Sequence, residues 1–433
     1  MSASKGEAAN FAALTFWQAN STISGKINQP GRCAIKLHLH IGTEKTGTTS
    51  FQRWLEQNRA QLAKHDVIYP DLPKMFPHGV GQRILSVYAQ GFNPEYDAFA
   101  HVGIVDEASY ERVKEGFAAV FDAQIRANPA GNWVLSSEHL HSRLTAPAQV
   151  ETLSRFLRRH FDDITVYIHL RPQVDMARSL ASTVARGGSL IGRGFFEAVD
   201  VTSAYYNYQT LVARWAAVFG VKNITVIPYK RNPDFQRYLL EKLGLSAAAF
   251  PPVVRENESI DWRLMALLNA IRPYQPPDKN GQRLPAAFKA IPCREPLQIG
   301  LAFARELDGR MRESNAALIA TRPELAPEDL TPDWANYDHP ENLSKIGQPV
   351  VFAEPLAAVL AQMQGQITQE RGLTRLAESE RALARGNHKM ARKKLALARR
   401  LIAELVSEEP VPESLDAMRI RADILHKKLG KTP

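Results

Sequence analysis

The stretch Ile35–Phe51, IKLHLHIGTEKTGTTSF, constrains the fold more than any other part of the chain. Apolar residues recur at 35, 37, 39 and 41, the period of a β-strand, and the strand runs at once into a loop with glycines five apart, Gly42 and Gly47. A helix is predicted over Thr49–Lys64, where Phe51, Trp54, Leu55 and Leu62 fall on one side. Strand, glycine loop and helix in that order form an anion site, because successive backbone N–H groups and the positive end of the helix dipole point the same way. In the triphosphate version, G-x-x-x-x-G-K-[ST], the lysine follows the second glycine. Here Lys45 precedes Gly47 and Thr48 holds the lysine's place, so the loop is expected to take an anion other than the γ-phosphate of ATP.

Further strands are predicted at Asp66–Tyr69, Trp133–Ser136, Ile164–Leu170 and Ile224–Tyr229, separated by helical segments such as Glu107–Asn128 and Val150–His160. This alternation gives an α/β fold with a central parallel sheet flanked by helices. Ligands in such sheets sit beyond the carboxyl ends of the strands, and the polar motifs of this chain occur there. Residues 182–198 and 273–297, rich in glycine or proline, are read as mobile or irregular loops.

Length and charge divide the chain. Its 433 residues suit one large α/β domain, expected over 31–370, with a flexible arm at 1–30 and a helical tail at 371–433. The net charge is +9, but residues 381–433 hold thirteen basic and six acidic residues, so +7 belongs to the tail and +2 to the rest. A basic tail of this kind can meet an acidic partner, a membrane surface or a second chain, while specific nucleic-acid binding is not indicated. Within it Leu373–Arg385, the face Ala391, Leu395, Ala398, Ile402 and Leu405, and the face Leu415, Met418, Ala422, Leu425 and Leu429 are predicted as three helices, a tetratricopeptide-like hairpin with one helix added. Cys33 and Cys293 lie far apart with no metal-ligand spacing, so neither a disulfide framework nor a metal site is indicated and a reducing, cytoplasmic setting is the default. No stretch approaches the roughly 20 apolar residues of a membrane span.

A second constellation, IHLRPQVDMARSL at 168–180, places Arg171 at the end of a strand and Ser179 in the following helix. A guanidinium fork and a hydroxyl can converge on a second anion. Lys45-Thr46-Gly47-Thr48-Thr49 together with Arg171 and Ser179 resemble the sulfotransferases that use 3′-phosphoadenosine 5′-phosphosulfate (PAPS). The wording HIGTEKTGTTSFQ, VLSSEHL, LRPQVDMARSL and RENESI is similar to the bacterial branch acting on carbohydrate-like or poorly known acceptors, over about Ala34 to Ile260. The resemblance implies that Lys45, Thr46, Gly47, Thr48, Thr49 and the following Ser50 hold the 5′-phosphosulfate, and that Arg171 and Ser179 hold the 3′-phosphate. Ser50 stands where the cytosolic small-molecule enzymes carry an aromatic residue, and their dimerisation motif is not evident.

Transfer of a sulfuryl group to a hydroxyl or amine is an in-line displacement and needs a proton acceptor near the loop. Glu138, directly after the third strand, and His78 are the candidates, with His139 and His141 behind them. A glutamate there is also ordinary in the first turn of a helix capped by Ser136 or Ser137. The resemblance also implies that Arg255 and Asn257, in RENES, close over the nucleotide. Lys45 and backbone donors supply the charge stabilisation, so no metal is required. The alternatives are an ATP-dependent kinase-like enzyme with a P-loop, and a non-catalytic nucleotide-fold scaffold with a basic interaction tail.

Overall fold

The computed structural model describes residues 35–73, 81–96, 98–99, 102–187, 189–251, 259–274, 293–348, 353–405 and 413–430. The predicted arm, His78, Arg255 and Asn257 lie outside them. The described residues fall in two units. One comprises those within Met1–Thr183, Gly192–Ser259 and Pro296–Leu343, the other those within Val184–Ile191, Ile260–Glu295 and Ser344–Pro433.

The first unit is an α/β fold around five parallel strands, β1 Lys36–His40, β2 Val67–Ile68, β3 Asn132–Ser136, β4 Asp163–Leu170 and β5 Ile224–Pro228, in the order β2-β3-β1-β4-β5. The strand that carries the glycine loop is central, flanked by β3 and β4, and β2 lies at the edge beyond β3. Alternation along β1 sets two chemistries back to back. Leu37 and Leu39 are buried on one side, while His38 and His40 share the other with Tyr167, the register partner of His40 on β4.

On the histidine side, α1 (Thr48–Gln57) supplies Phe51, Trp54 and Leu55 to a core that also contains Val134, Tyr167, Ile227, Phe235 and Leu239. The predicted helix over Thr49–Lys64 is two helices, since a second short one occupies Arg59–Ala63. Asn58 makes the break, because its Nδ2 and its backbone N–H both donate to Trp54 O at 2.9 Å, where an uninterrupted helix would accept only once. The opposite side of the sheet is covered by α2 (Ile84–Gln90), α3 (Glu107–Ala127), α4 (His139–Arg143) and α5 (Pro147–Leu157), while α6 (Gln173–Arg186) follows β4 and α7 (Tyr208–Phe219) lies along β4 and β5. Asp106 and Ser109 cap α3 reciprocally, and Phe121 of that helix packs on Trp133. Residues 182–198 are more regular than expected. Helix α6 runs through Arg186 and a short helix forms at Arg193–Phe196, because Ala181, Ala185 and Phe196 are all buried. Helix α8 (Phe235–Lys242) packs on α1.

The second unit contains α9 (Trp262–Ile271), whose N-cap Asp261 accepts bonds from Arg263 and from the backbone N–H groups of Arg294 and Glu295. After α10 (Leu301–Thr321) of the first unit come the three tail helices, α11 Ala353–Ala384, α12 His388–Leu405 and α13 Glu413–Gly430. The predicted helix at Leu373–Arg385 is thus the last third of a much longer one. Every predicted face residue of α12 and α13 is in their shared core with Leu376, including Leu405 at its margin. No helix among the described residues is long and apolar enough to cross a membrane.

The sheet buries its histidines uncharged. Burial holds His169 and His141 at about 4, against an ordinary 6.5, and pushes His40 well down with help from His169 beside it. Below pH 6.5 an unfolded chain takes up protons that these folded rings refuse, so stability falls from there to about pH 4, by up to about 3 kcal/mol each for His169 and His141. The denaturant midpoint is therefore expected to drop steadily between pH 7 and 4.5, and less steeply in His169→Gln. A midpoint that stays level over that range contradicts this account.

Candidate functional site

The loop after β1 is held by backbone bonds that prolong the β1/β4 ladder. Ile41 N–H donates to Tyr167 O at 3.1 Å, His169 N–H to Gly42 O at 2.6 Å, and Thr43 N–H to His169 O at 2.8 Å. The Thr43 hydroxyl donates to the same carbonyl at 2.9 Å, and the Thr46 hydroxyl closes the turn onto Thr43 O at 2.7 Å. Three residues then take left-handed backbone, Gly42 (φ 88°), Lys45 (φ 64°) and Gly47 (φ 82°). Gly42 is required on a second count: a Cβ there would lie 3.1 Å from both Cα and Cβ of Glu138. Gly47 is the N-cap of α1, with no side-chain cap and no acidic residue in the first turn. The helix therefore presents its open N–H groups without a competing carboxylate.

These groups open on a cavity of about 860 Å³, lined by Lys45, Gly47, Thr48, Thr49, Ser50, Glu138, Arg171 and Ser179. Eight predicted site residues thus meet in one place. Thr46 does not line it: its side chain is buried and spent on the turn. Arg171 lies over the Tyr229 ring at 5.2 Å and donates through Nη1 to Lys45 O at 3.1 Å, while its own carbonyl accepts from Tyr208 Oη at 2.6 Å. Lys45 extends across to α6, where Nζ donates to Thr183 Oγ1 at 2.8 Å. Thr183 is one turn beyond Ser179, so the lysine reaches the helix that carries Ser179.

Other side chains at the cavity were not singled out from the sequence. Thr183 could have been found as the residue i+4 from Ser179. Glu44 sits in the loop beside the lysine, lines the same cavity, and accepts from Tyr205 Oη at 3.0 Å. Burial pushes its carboxyl up, but His139, the Ser142 hydroxyl, His141 and the Tyr205 hydroxyl together bring it below the ordinary value, so it is ionised. Glu138 is fixed by Gln52 Nε2, which donates to Oε2 at 2.6 Å. Neither Ser136 nor Ser137 caps α4 through its side chain: Ser136 Oγ is engaged by His40 Nδ1 and Gln52 Nε2, and Glu138 itself stands at the N-cap. His139 lines the cavity, and its burial outweighs Glu138 and Glu44 to hold it below 6.5 and hence mostly neutral at pH 7. His141 points away, with Nε2 2.9 Å from Tyr205 O. Trp54 and Phe250, whose rings are 5.5 Å apart, also line the cavity as an aromatic wall.

The site combines a helix N-terminus with a lysine, an arginine–serine pair, an aromatic wall and a carboxylate–imidazole group. The described residues include no cluster of three or more His, Cys, Asp or Glu side chains able to hold a metal ion.

No protein-family model matches the chain. No curated protein matches it either. Among solved structures, a sulfotransferase from Alicyclobacillus acidocaldarius is similar at 21% identity, covering 51% of this chain and 85% of that one, with a TM-score of 0.31. At that distance the side chains in the cavity have to carry any functional reading.

Gly42→Ala is expected to cost about 1–3 kcal/mol, from the left-handed backbone and the crowding against Glu138. Thermal unfolding should show this as a drop of several degrees. An unchanged transition would mean that the loop is not held as described.

Proposed function

We propose that this chain is a sulfotransferase that moves a sulfuryl group from PAPS to a hydroxyl or amine of an acceptor, with a carbohydrate or glycoconjugate the acceptor class in view. The carrying observation is that Lys45, displaced from the position an ATPase needs, shares one cavity with the Arg171 and Ser179 pair. Two separate cationic sites suit a ligand with anions at both ends. The first-turn N–H groups of α1, Lys45 and the hydroxyls of Thr48, Thr49 and Ser50 take the phosphosulfate. Arg171 and Ser179 take the 3′-phosphate, and the Trp54/Phe250 wall suits a flat base. The cavity volume of about 860 Å³ is within the roughly 300–1,000 Å³ of small-molecule sites.

In the displacement, the acceptor oxygen or nitrogen forms a bond to sulfur as the bond to the bridging oxygen breaks. Adenosine 3′,5′-bisphosphate leaves. Lys45 and the helix N-terminus stabilise the charge that develops on the bridging oxygen. His139, neutral and flanked by the ionised Glu44, is the base this geometry favours, and Glu138, tied to Gln52, orients the acceptor. A cytoplasmic setting is part of the proposal, on the strength of two cysteines far apart in sequence.

Titration with adenosine 3′,5′-bisphosphate, ADP and ATP tests the donor. The bisphosphate should bind best, and Arg171→Ala should weaken it roughly ten- to a hundredfold, since charge-assisted bonds are worth about 1.5–3 kcal/mol. If ATP binds as well and the substitution changes nothing, the kinase-like alternative takes its place. With PAPS and a panel of hydroxylated saccharides, His139→Gln should keep bisphosphate affinity while transfer falls on the order of 10²- to 10⁴-fold. Full transfer activity in that variant would return the base to Glu138.

A further inference from the structure

We propose that the acceptor carries a protonated amine, bound between the carboxylates of Glu44 and Glu138, as an amino sugar with its nitrogen free would be. This rests on the sulfotransferase reading above and adds to it the charge of the acceptor. Gly42 brings the two carboxylates together. A Cβ at that glycine would lie 3.1 Å from Cα and Cβ of Glu138 and 3.2 Å from the Glu44 amide nitrogen, and both side chains line the cavity with His139. Each is held through Oε2 by one neutral donor, Glu138 by Gln52 Nε2 at 2.6 Å and Glu44 by Tyr205 Oη at 3.0 Å. Neither forms an ion pair with a lysine or arginine among the described residues, and Oε1 of each has no hydrogen-bond partner there.

The cations of this region are placed elsewhere. Arg83 and Arg143, which act on His139 together with the two glutamates, lie over the Tyr96 ring at 5.3 and 5.7 Å and do not line the cavity. Lys45 extends away from its neighbour Glu44 to Thr183 on α6. Arg237 lines the cavity from the segment of Pro233, whose carbonyl is 3.8 Å from the place of a Cβ on Gly47. Positive charge therefore gathers around the α1 N-terminus and α6, and negative charge around Gly42. A charge withdrawn from water is ordinarily paired. Glu44 is ionised and half-buried, and the fold supplies it no cation. An ammonium on the acceptor would supply one, since it donates up to three bonds and can reach Oε1 of both glutamates at once. The same pair repels a uronate or an already sulfated sugar, which Lys45 and Arg171 would otherwise attract.

The test is calorimetric titration of the full chain, without nucleotide and below the pKa of the amine, with three disaccharides of one size: glucosamine units with free amines, the N-acetylated counterpart, and uronic acid units. The free amine should bind roughly tenfold or more tighter than the N-acetylated sugar, with the uronate weakest, and the gap should narrow as salt is raised. Glu44→Gln and Glu138→Gln, which keep the side-chain size and an oxygen to accept from Tyr205 or Gln52, should each close most of that gap, with thermal unfolding as the check that the variants are folded. Should a variant not fold, the wild-type comparison decides alone. The proposal is overturned if the N-acetylated sugar binds as tightly as the free amine, if the uronate binds best, if no amine-bearing sugar binds, or if the gap survives in both folded variants. No donor takes part in these titrations, so the amine preference can fail while the bisphosphate titration succeeds, and the reverse.

Discussion

The backbone of His169 is the constraint on which the site depends. Its N–H donates to Gly42 and its carbonyl accepts twice from Thr43, once from the amide and once from the hydroxyl. These bonds carry the β1/β4 pairing beyond the last residue of the strand, so the loop inherits the rigidity of the sheet. Without such a clamp, three left-handed residues within six positions, at 42, 45 and 47, would leave the orientation of the α1 N–H groups undefined. The clamp also explains the burial of His169: its main chain is needed at that place, and its ring is enclosed because β4 lies inside a parallel sheet covered on both sides.

Much of the α/β unit was legible because periodicity and glycine spacing are local signals. Each predicted strand is present within a residue or two, and β1 to α1 could be placed from seventeen residues. The failures have local causes as well. Asn58 breaks a helix whose apolar pattern continues past it, since the pattern reports the packed face and not the competition for Trp54 O. The glycines at 187–194 suggest a loop, yet Ala185 and Phe196 are anchored by tertiary burial that no window of sequence contains. The long start of α11 was missed because Pro355 and Gly365 interrupt the composition that marks the rest of the tail.

At the site, residues following a strand end were found, while residues defined by convergence were not. Lys45, Arg171, Ser179 and Glu138 sit where an α/β sheet gathers its ligands. Thr183 and Glu44 gain meaning only when α6 and the loop are side by side, for each is an ordinary residue in its own neighbourhood. Thr46 shows the converse, since a hydroxyl inside the motif is used by the turn itself. The tail was readable as helices, because a face such as Leu415, Met418, Ala422, Leu425 and Leu429 is a local pattern.

Lys45 combines a left-handed backbone with a carbonyl held by the Arg171 guanidinium. A non-glycine residue in that conformation carries a strain of about 1–2 kcal/mol, and the arginine is part of what keeps it there. The residue assigned to one anion thus braces the peptide unit that aims the side chain assigned to the other. The two ends of the site are thermodynamically linked. Any ligand that settles the guanidinium also narrows the arc through which the ammonium can swing. On the proposed function, a molecule that satisfies both ends would accordingly gain more than its halves do separately, and the pocket would distinguish a doubly anionic nucleotide from a singly anionic one through order as well as through charge.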